Sequence, residues 1–224
     1  MALEVYLVRH GKTVFNTTGR LQGWSDSPLT PEGCDVAARL GRGLAERGIR
    51  FDAAFSSTAP RAAETARIIL ANALQSDLSP IQLPDLREYC FGGLEGELNG
   101  RFHEIMAAAL NLPDEETWLQ AYRNARHHLL AETVAVADPL GLAENEARFV
   151  GRLKRGMAEV AEKSSGLSRV LVVSHGMSIT AILKSIDFDC IEYRSVDNAS
   201  VSRLLFDGAG WQIESIGETA FLSD

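Results

Sequence analysis

Two short apolar runs, far apart in the chain, end in the same way. Leu3–Val8 stops at Arg9-His10-Gly11, and Val170-Leu171-Val172-Val173 stops at Ser174-His175-Gly176. Runs this short, rich in Val and Leu and ended by polar residues and glycine, read as buried strands. Strands that bury both faces alternate with helices that cover them, which predicts an α/β sheet. In such sheets ligands collect at the carboxyl ends of the strands, and both histidines fall there.

The remaining periodicity alternates in the same sense. Thr30-Pro31-Glu32 supplies an N-cap, a proline in the first turn and an early carboxylate, and Val36, Leu40 and Leu44 recur at helical spacing, predicting a helix over 31–47. Phe51–Phe55 predicts a second strand, Ser56–Pro60 a turn and Arg61–Ala73 a second helix. A third extended segment, Ile81–Leu86, leads into Arg87-Glu88 and the glycines 92, 93, 96 and 100. From about 101 to 165 the spacing is helical and broken by Pro113, Pro139 and Gly141. Two or three helices are expected, the last over about 142–163. A helix over about 178–186 and two strands, Val201–Phe206 and Trp211–Ile216, flanking the turn Asp207-Gly208-Ala209-Gly210, complete the chain. The expected fold is a three-layer α/β/α sandwich, a mostly parallel central sheet with helices on both faces. It forms one domain over 1–224, with 101–145 as a small helical cap inserted in it.

Lys+Arg 22 against Asp+Glu 30 gives a net charge of −8, which disfavours non-specific nucleic-acid binding, so any polyanion must be met by a local cluster of cations. Hydrophobic residues at 46% suffice for a core without metals or disulfides. Cys34, Cys90 and Cys190 are odd in number and not in metal-type spacing, so reduced thiols are expected. The apolar run near the N-terminus is far short of the roughly 20 residues of a membrane span. A soluble, cytoplasmic protein is expected, without cofactor or metal. No nucleic-acid partner and no membrane are expected.

The chemistry reads from the strand ends. A neutral imidazole can attack phosphorus, and a second ring beside a phosphoryl group can donate to its oxygens. Residue chemistry alone does not say whether His10 or His175 is the nucleophile. Arg9 and Arg61 offer planar donor forks suited to tetrahedral oxyanions, and Arg61 opens a predicted helix. Glu88, after the third strand, is placed to protonate a leaving alkoxide. A metal site is the rival reading, opposed by the cation beside His10 and by the absence of metal-type spacings.

These residues sit in a longer pattern. Leu7-Val8-Arg9-His10-Gly11-Lys12-Thr13, Asn16, Leu21-Gln22-Gly23-Trp24-Ser25-Asp26 and Leu29-Thr30-Pro31-Glu32-Gly33 are followed in order by Ser56-Ser57, Arg61-Ala62, Thr65-Ala66, Glu88, Phe91-Gly92, Glu95-Gly96 and Val173-Ser174-His175-Gly176. The chain resembles the histidine phosphatase superfamily, of phosphoglycerate mutase-like fold, over most of its length except about 101–145. The resemblance implies that His10 is the nucleophile, forming a phosphohistidine, and Glu88 the proton donor. It implies that Arg9, Arg61 and His175 bind the phosphoryl group, with Asn16, Gln22, Gly23 and the Gly176 backbone assisting.

Mutase and phosphatase branches share this core, and a mutase must also grip a carboxylate and a second phosphate. Where mutases carry an arginine after the acid, and then a lysine, this chain has Tyr89 and Asn99; Met177 stands where they have asparagine. These departures favour hydrolysis, and the resemblance then implies a metal-independent phosphatase whose partner is a small-molecule phosphomonoester, with a homodimer as the possible assembly. The alternatives are a phosphoglycerate mutase or a non-catalytic phospho-ligand binding module. Within the cap, Arg123, Arg126 and His127 are expected on one helix face, and Tyr89, Phe91, Trp118 and Tyr122 as an apolar rim or as core.

Overall fold

The computed structural model describes residues 2–222. Six strands form one sheet in the order β3-β2-β4-β1-β5-β6: β1 (Leu3–Arg9), β2 (Ala53–Ser57), β3 (Ile81–Leu83), β4 (Arg169–Ser174), β5 (Val201–Phe206) and β6 (Trp211–Glu218). The pairs β1–β4, β4–β2 and β2–β3 are parallel, and β5 runs against both β1 and β6. Eight α-helices accompany them: α1 (Val14–Thr18), α2 (Pro31–Glu46), α3 (Pro60–Asn72), α4 (Asn99–Ala109), α5 (Glu115–Asn124), α6 (Leu129–Ala137), α7 (Glu146–Lys163) and α8 (Gly176–Ile186).

Alternation along the central strands sorts the layers. Tyr6, Val8, Leu171 and Val173 pack with Leu40 and Leu44 of α2 and with Ala66 and Ile69 of α3. Their neighbours Val5, Leu7, Val170 and Val172 pack on the other face with Phe149, Leu153 and Met157 of α7 and with Ile179 and Ile182 of α8. A two-residue side-chain period therefore builds two cores from one strand pair. This is the α/β/α sandwich expected from the sequence. Helices α4, α5 and α6 extend the second core through Phe102, Met106, Trp118 and Val134.

Several boundaries move for local reasons. Strand β2 starts two residues later than expected, because the Gln75 side chain takes both the Phe51 N–H and its carbonyl, at 3.1 and 2.9 Å. The extended segment 81–86 keeps only its first half as strand, since Pro84–Leu86 closes into a 3-10 turn. Four helices, not two or three, fill 99–163. The last begins at Glu146, where the Asn145 side chain accepts from Arg148 N at 3.0 Å, a cap of the kind that contributes about 1 kcal/mol. Helix α8 opens at Gly176, two residues early, which makes His175 its N-cap residue. Helix α1, not expected at all, is held by a capping box between Thr13 and Asn16.

Candidate active site

The parallel pairing of β1 and β4 sets Arg9 opposite Ser174, and the ladder continues one step as His10 N–H donates to Ser174 O at 3.0 Å. His10 and His175 therefore emerge side by side, with ring centroids 5.2 Å apart and planes at 61°. His10 Nδ1 lies 2.8 Å from Gly11 O. A carbonyl can only accept, so the proton of the neutral ring sits on Nδ1 and Nε2 keeps a bare lone pair. Burial, helped by the positive field of Arg61 and Arg9, holds this imidazole well below its ordinary pKa. His175 is shifted down in the same way, first by burial and then by Arg61. His175 Nε2 is 2.8 Å from Ser57 Oγ, which itself accepts from Ala59 N–H. His175 Nδ1 is buried with no partner, and it carries the ring proton in the tautomer in which Ser57 Oγ donates to Nε2.

The cations are anchored by only part of their forks. Arg61, at the start of α3, is 1% exposed. Its Nη1 donates to Ser25 O and Asp26 Oδ1 at 3.0 and 2.7 Å, and its Nη2 to Gly23 O at 2.8 Å. Arg9 Nη1 donates to Val196 O. Both Nε atoms are buried without partners. Burial lowers both guanidinium pKa values, opposed by Asp26 and Glu88 at Arg61 and by Glu88 and Asp197 at Arg9.

Glu88 follows the 3-10 turn after β3 and is buried. Its Oε1 accepts from Tyr89 N, Ser178 N and Ser178 Oγ at 2.9, 3.0 and 2.9 Å, whereas Oε2 accepts only from Met177 N at 3.0 Å. Oε2 is thus the oxygen with an open lone pair. Helix α8 supplies two of these donors because its first N–H groups have no helical acceptor. Ile179 N–H returns to His175 O, the first i to i−4 bond of α8. A Cβ at Gly176 would lie 2.5 Å from Ser195 Oγ and 3.3 Å from Arg9 Nε, so only glycine lets Arg9 approach this closely.

Asn16 and Gln22 are oriented by Thr13. Thr13 N donates to Asn16 Oδ1 at 3.1 Å, and Thr13 Oγ1 to Gln22 Oε1 at 2.6 Å. These contacts fix both amides with nitrogen outward, and Gln22 Nε2 is buried without a partner. Gly23 lies among these residues in a different capacity. Its N–H is taken by Glu95 Oε2 at 3.1 Å, and a Cβ would lie 2.0 Å from Tyr89 O. Its place in the site is therefore that of a tight backbone crossing.

Of the buried side-chain N and O atoms left unpaired among the described residues, four belong to Arg9, Gln22, Arg61 and His175. All four are nitrogens able to donate, and unpaired buried donors are costly unless a ligand satisfies them. Two guanidinium nitrogens, an amide and an imidazole nitrogen beside a bare imidazole lone pair are a set of groups suited to a tetrahedral oxyanion and to attack on it. Among the described residues no cluster of three or more His, Cys, Asp or Glu is placed to hold a metal ion.

Some supporting residues were not anticipated. Glu95 accepts from Gly23 N, Trp24 N, Ser25 N, Ser25 Oγ and Phe91 N, tying the 22–25 loop to the segment after Glu88. Buried Arg152 grips Glu144 through two contacts of 2.7 Å and donates to Glu88 O at 2.6 Å. Asn198 Nδ2 donates to His10 O at 2.9 Å. Glu95 lay inside a recognised motif, whereas Arg152 and Asn198 carry no local signal.

The cap departs from expectation. Arg123 lies in the last turn of α5, while Arg126 and His127 lie in the turn beyond it because Ala125 is the C-cap. They share no helix face, and Arg126 pairs with Asp189 at 2.8 Å. Tyr89, Phe91 and Trp118 are buried core side chains; Tyr122 is partly buried, stacked between Trp118 and Tyr193.

Residues 5–219 match the model of the histidine phosphatase superfamily (branch 1). A curated relative in Yersinia pestis (strain Pestoides F), named probable phosphoglycerate mutase GpmB, is 32% identical over 228 residues, covering 98% of this chain and 95% of its own. The crystal structure of phosphoglycerate mutase from Bacillus anthracis str. Sterne superposes with a TM-score of 0.92 at 34% identity, covering 99% of this chain and 95% of that one. The alpha-ribazole phosphatase of Shigella flexneri has the same fold, with a TM-score of 0.73 at 22% identity over 96% of each chain.

Proposed function

The chain belongs to the histidine phosphatase superfamily, and on that basis we propose that it is a phosphatase that hydrolyses small phosphomonoesters through a phosphohistidine on His10. The substrate phosphoryl group enters the cradle of Arg9, Arg61, Gln22 and His175, with Asn16 and Gly176 N–H assisting. The His10 Nε2 lone pair forms the N–P bond as the P–O bond to the leaving group breaks. Glu88 Oε2 delivers its proton to the departing oxygen. Water then attacks phosphorus, its proton passes to Glu88, and the N–P electron pair returns to Nε2.

The observation that carries hydrolysis over isomerisation is the environment of Tyr89. This position, where a mutase would need a cation, is fully buried, with its hydroxyl donating to Ala131 O at 3.2 Å and to Glu144 O. Two cap arginines are directed elsewhere, Arg126 to Asp189 and Arg101 to Glu97. At the Tyr89 position a carboxylate or second phosphate on the substrate would find no cation. The mutase reading rests on the names of relatives at 32 and 34% identity. Phosphate release from p-nitrophenyl phosphate, beside conversion of 3-phosphoglycerate with catalytic 2,3-bisphosphoglycerate, separates the two. Release without isomerisation is expected; efficient isomerisation with little release would replace this reading by the mutase.

A further inference from the structure

Next to Glu88, whose carbonyl accepts from Trp24 Nε1 and Arg152 Nη2 of its lining, lies a recess of about 320 Å³. Helix α7 contributes Arg148, Arg152 and Arg155 to it, spaced i, i+4 and i+7 and so on one helical stripe. Arg87 faces them from the strand side, its guanidinium 5.1 Å from the centre of the Trp24 ring. Trp24 is 50% exposed, an uncommon state for an indole whose Nε1 is already fixed, here on Glu88 O at 3.0 Å.

The charges in the recess do not cancel. Glu144 neutralises Arg152, and Asp85 neutralises Arg155 at 3.1 Å. Arg87 donates to the Thr58 hydroxyl, and Arg148 has only its backbone capped by Asn145. Neither has a carboxylate partner among the described residues. Two uncompensated guanidiniums therefore share a concave site with a half-exposed indole, on a chain of net charge −8. Guanidinium forks match phosphoryl oxygens bidentately, and an indole face accepts a planar ring.

We propose that this recess is a second, non-catalytic site for a ring-bearing phosphate such as a nucleotide, with Arg87 and Arg148 on the phosphoryl oxygens and Trp24 against the ring. Its volume is near the lower end of small-molecule sites, enough for one ring system with its phosphate toward the arginines. None of the residues that line the recess belongs to the phosphoryl cradle of Arg9, Gln22, Arg61 and His175.

The test is titration of the intact protein with α,β-methylene-ADP, whose P–C–P bridge is not hydrolysed, followed by tryptophan fluorescence and by calorimetry. No turnover is needed, so the result is independent of the phosphatase reading. Saturable quenching is expected, absent in Trp24→Phe, with affinity lowered at least tenfold in Arg148→Glu. Arg148 is exposed on the first turn of α7 and touches none of the cradle residues, so this variant leaves phosphate binding at His10 unchanged. Methylenediphosphonate, which lacks the ring, should bind at least tenfold more weakly. Equal affinity for the two probes would overturn the ring-bearing ligand. Binding that survives Arg148→Glu, or no saturable binding, would overturn the site.

Discussion

His10 and His175 meet edge to face at 5.2 Å although 165 residues of sequence separate them, because one parallel strand pair places Arg9 opposite Ser174. The same register puts two buried imidazoles, both shifted down in pKa, in a field set by two arginines. The proposed nucleophile and oxyanion donor are thus matched by backbone hydrogen bonding rather than by loop adjustment. Replacing His10 by Ala should lower phosphate release by about 10⁴-fold or more, as loss of a covalent nucleophile does. Wild type quenched in alkali should retain label from a phosphorus-labelled substrate on His10, and His10→Ala should retain none. A variant that still turns over at a tenth of the wild-type rate would contradict His10 as nucleophile.

Gln22 tests the cradle more finely. Its Oε1 holds the Thr13 hydroxyl while its buried Nε2 has no partner. Gln22→Glu keeps the acceptor for Thr13 and turns the donor into an oxygen that repels phosphoryl. The expected loss in kcat/KM is about 10²-fold, the scale of removing one oriented donor from a developing charge. Circular dichroism and melting temperature should stay near wild type. A large drop in melting temperature with unchanged kcat/KM would place Gln22 in the scaffold instead.

For Glu88 the informative variable is the leaving group. p-Nitrophenolate departs readily without a proton, whereas an alkoxide does not. Glu88→Gln should therefore slow hydrolysis of an alkyl phosphate much more than that of p-nitrophenyl phosphate, by a further factor of about 10²–10³. Rates falling equally for both would show that Glu88 does not supply the proton.

Much of this was legible in the chain. Strands ending in Arg9-His10-Gly11 and Ser174-His175-Gly176 predicted the sheet edge, and Pro31 after Thr30 predicted α2 almost to the residue. The misplaced boundaries have causes that act through space. Phe51 is withheld from β2 by Gln75, 24 residues away, and α8 starts early because Glu88 accepts its free N–H groups. Arg152 shows the limit best. On sequence it is one arginine of an ordinary amphipathic helix, yet it is buried and holds Glu144 and the Glu88 carbonyl together. A position of that kind is defined by partners 8 and 64 residues distant, and no local pattern encodes it.

Stability should fall with acid through His128. This ring is buried at the N-cap of α6, where Nδ1 accepts from Ala131 N–H at 3.3 Å, and burial lowers its pKa from 6.5 to about 4. The unfolded chain takes up the proton near 6.5 and the folded chain only near 4, so the stabilisation is complete above 6.5 and lost as pH falls through that window. The contribution is about 3 kcal/mol. His10 and His175 act in the same direction. Asn at 128 can still accept from Ala131 N–H but does not titrate. Urea unfolding at pH 7, 5.5 and 4 should show wild type losing about 3 kcal/mol more than His128→Asn across the range. Parallel curves would remove His128 from the acid response.

Tyr89→Arg addresses whether mutase activity can be restored by one residue. If the position faced the substrate, an arginine would supply the missing cation and isomerisation would appear. The ring is instead enclosed, edge-on to Phe91 and Phe149 at 4.9 and 5.2 Å, and burial raises the phenol pKa. An arginine there would bring a charge into an aromatic core and abandon the carbonyls of Ala131 and Glu144. Destabilisation above about 4 kcal/mol is expected, with soluble yield and phosphate release falling together and no conversion of 3-phosphoglycerate. A folded Tyr89→Arg protein that interconverts phosphoglycerates would show that the position opens onto the substrate, and the phosphatase reading would lose its main structural support.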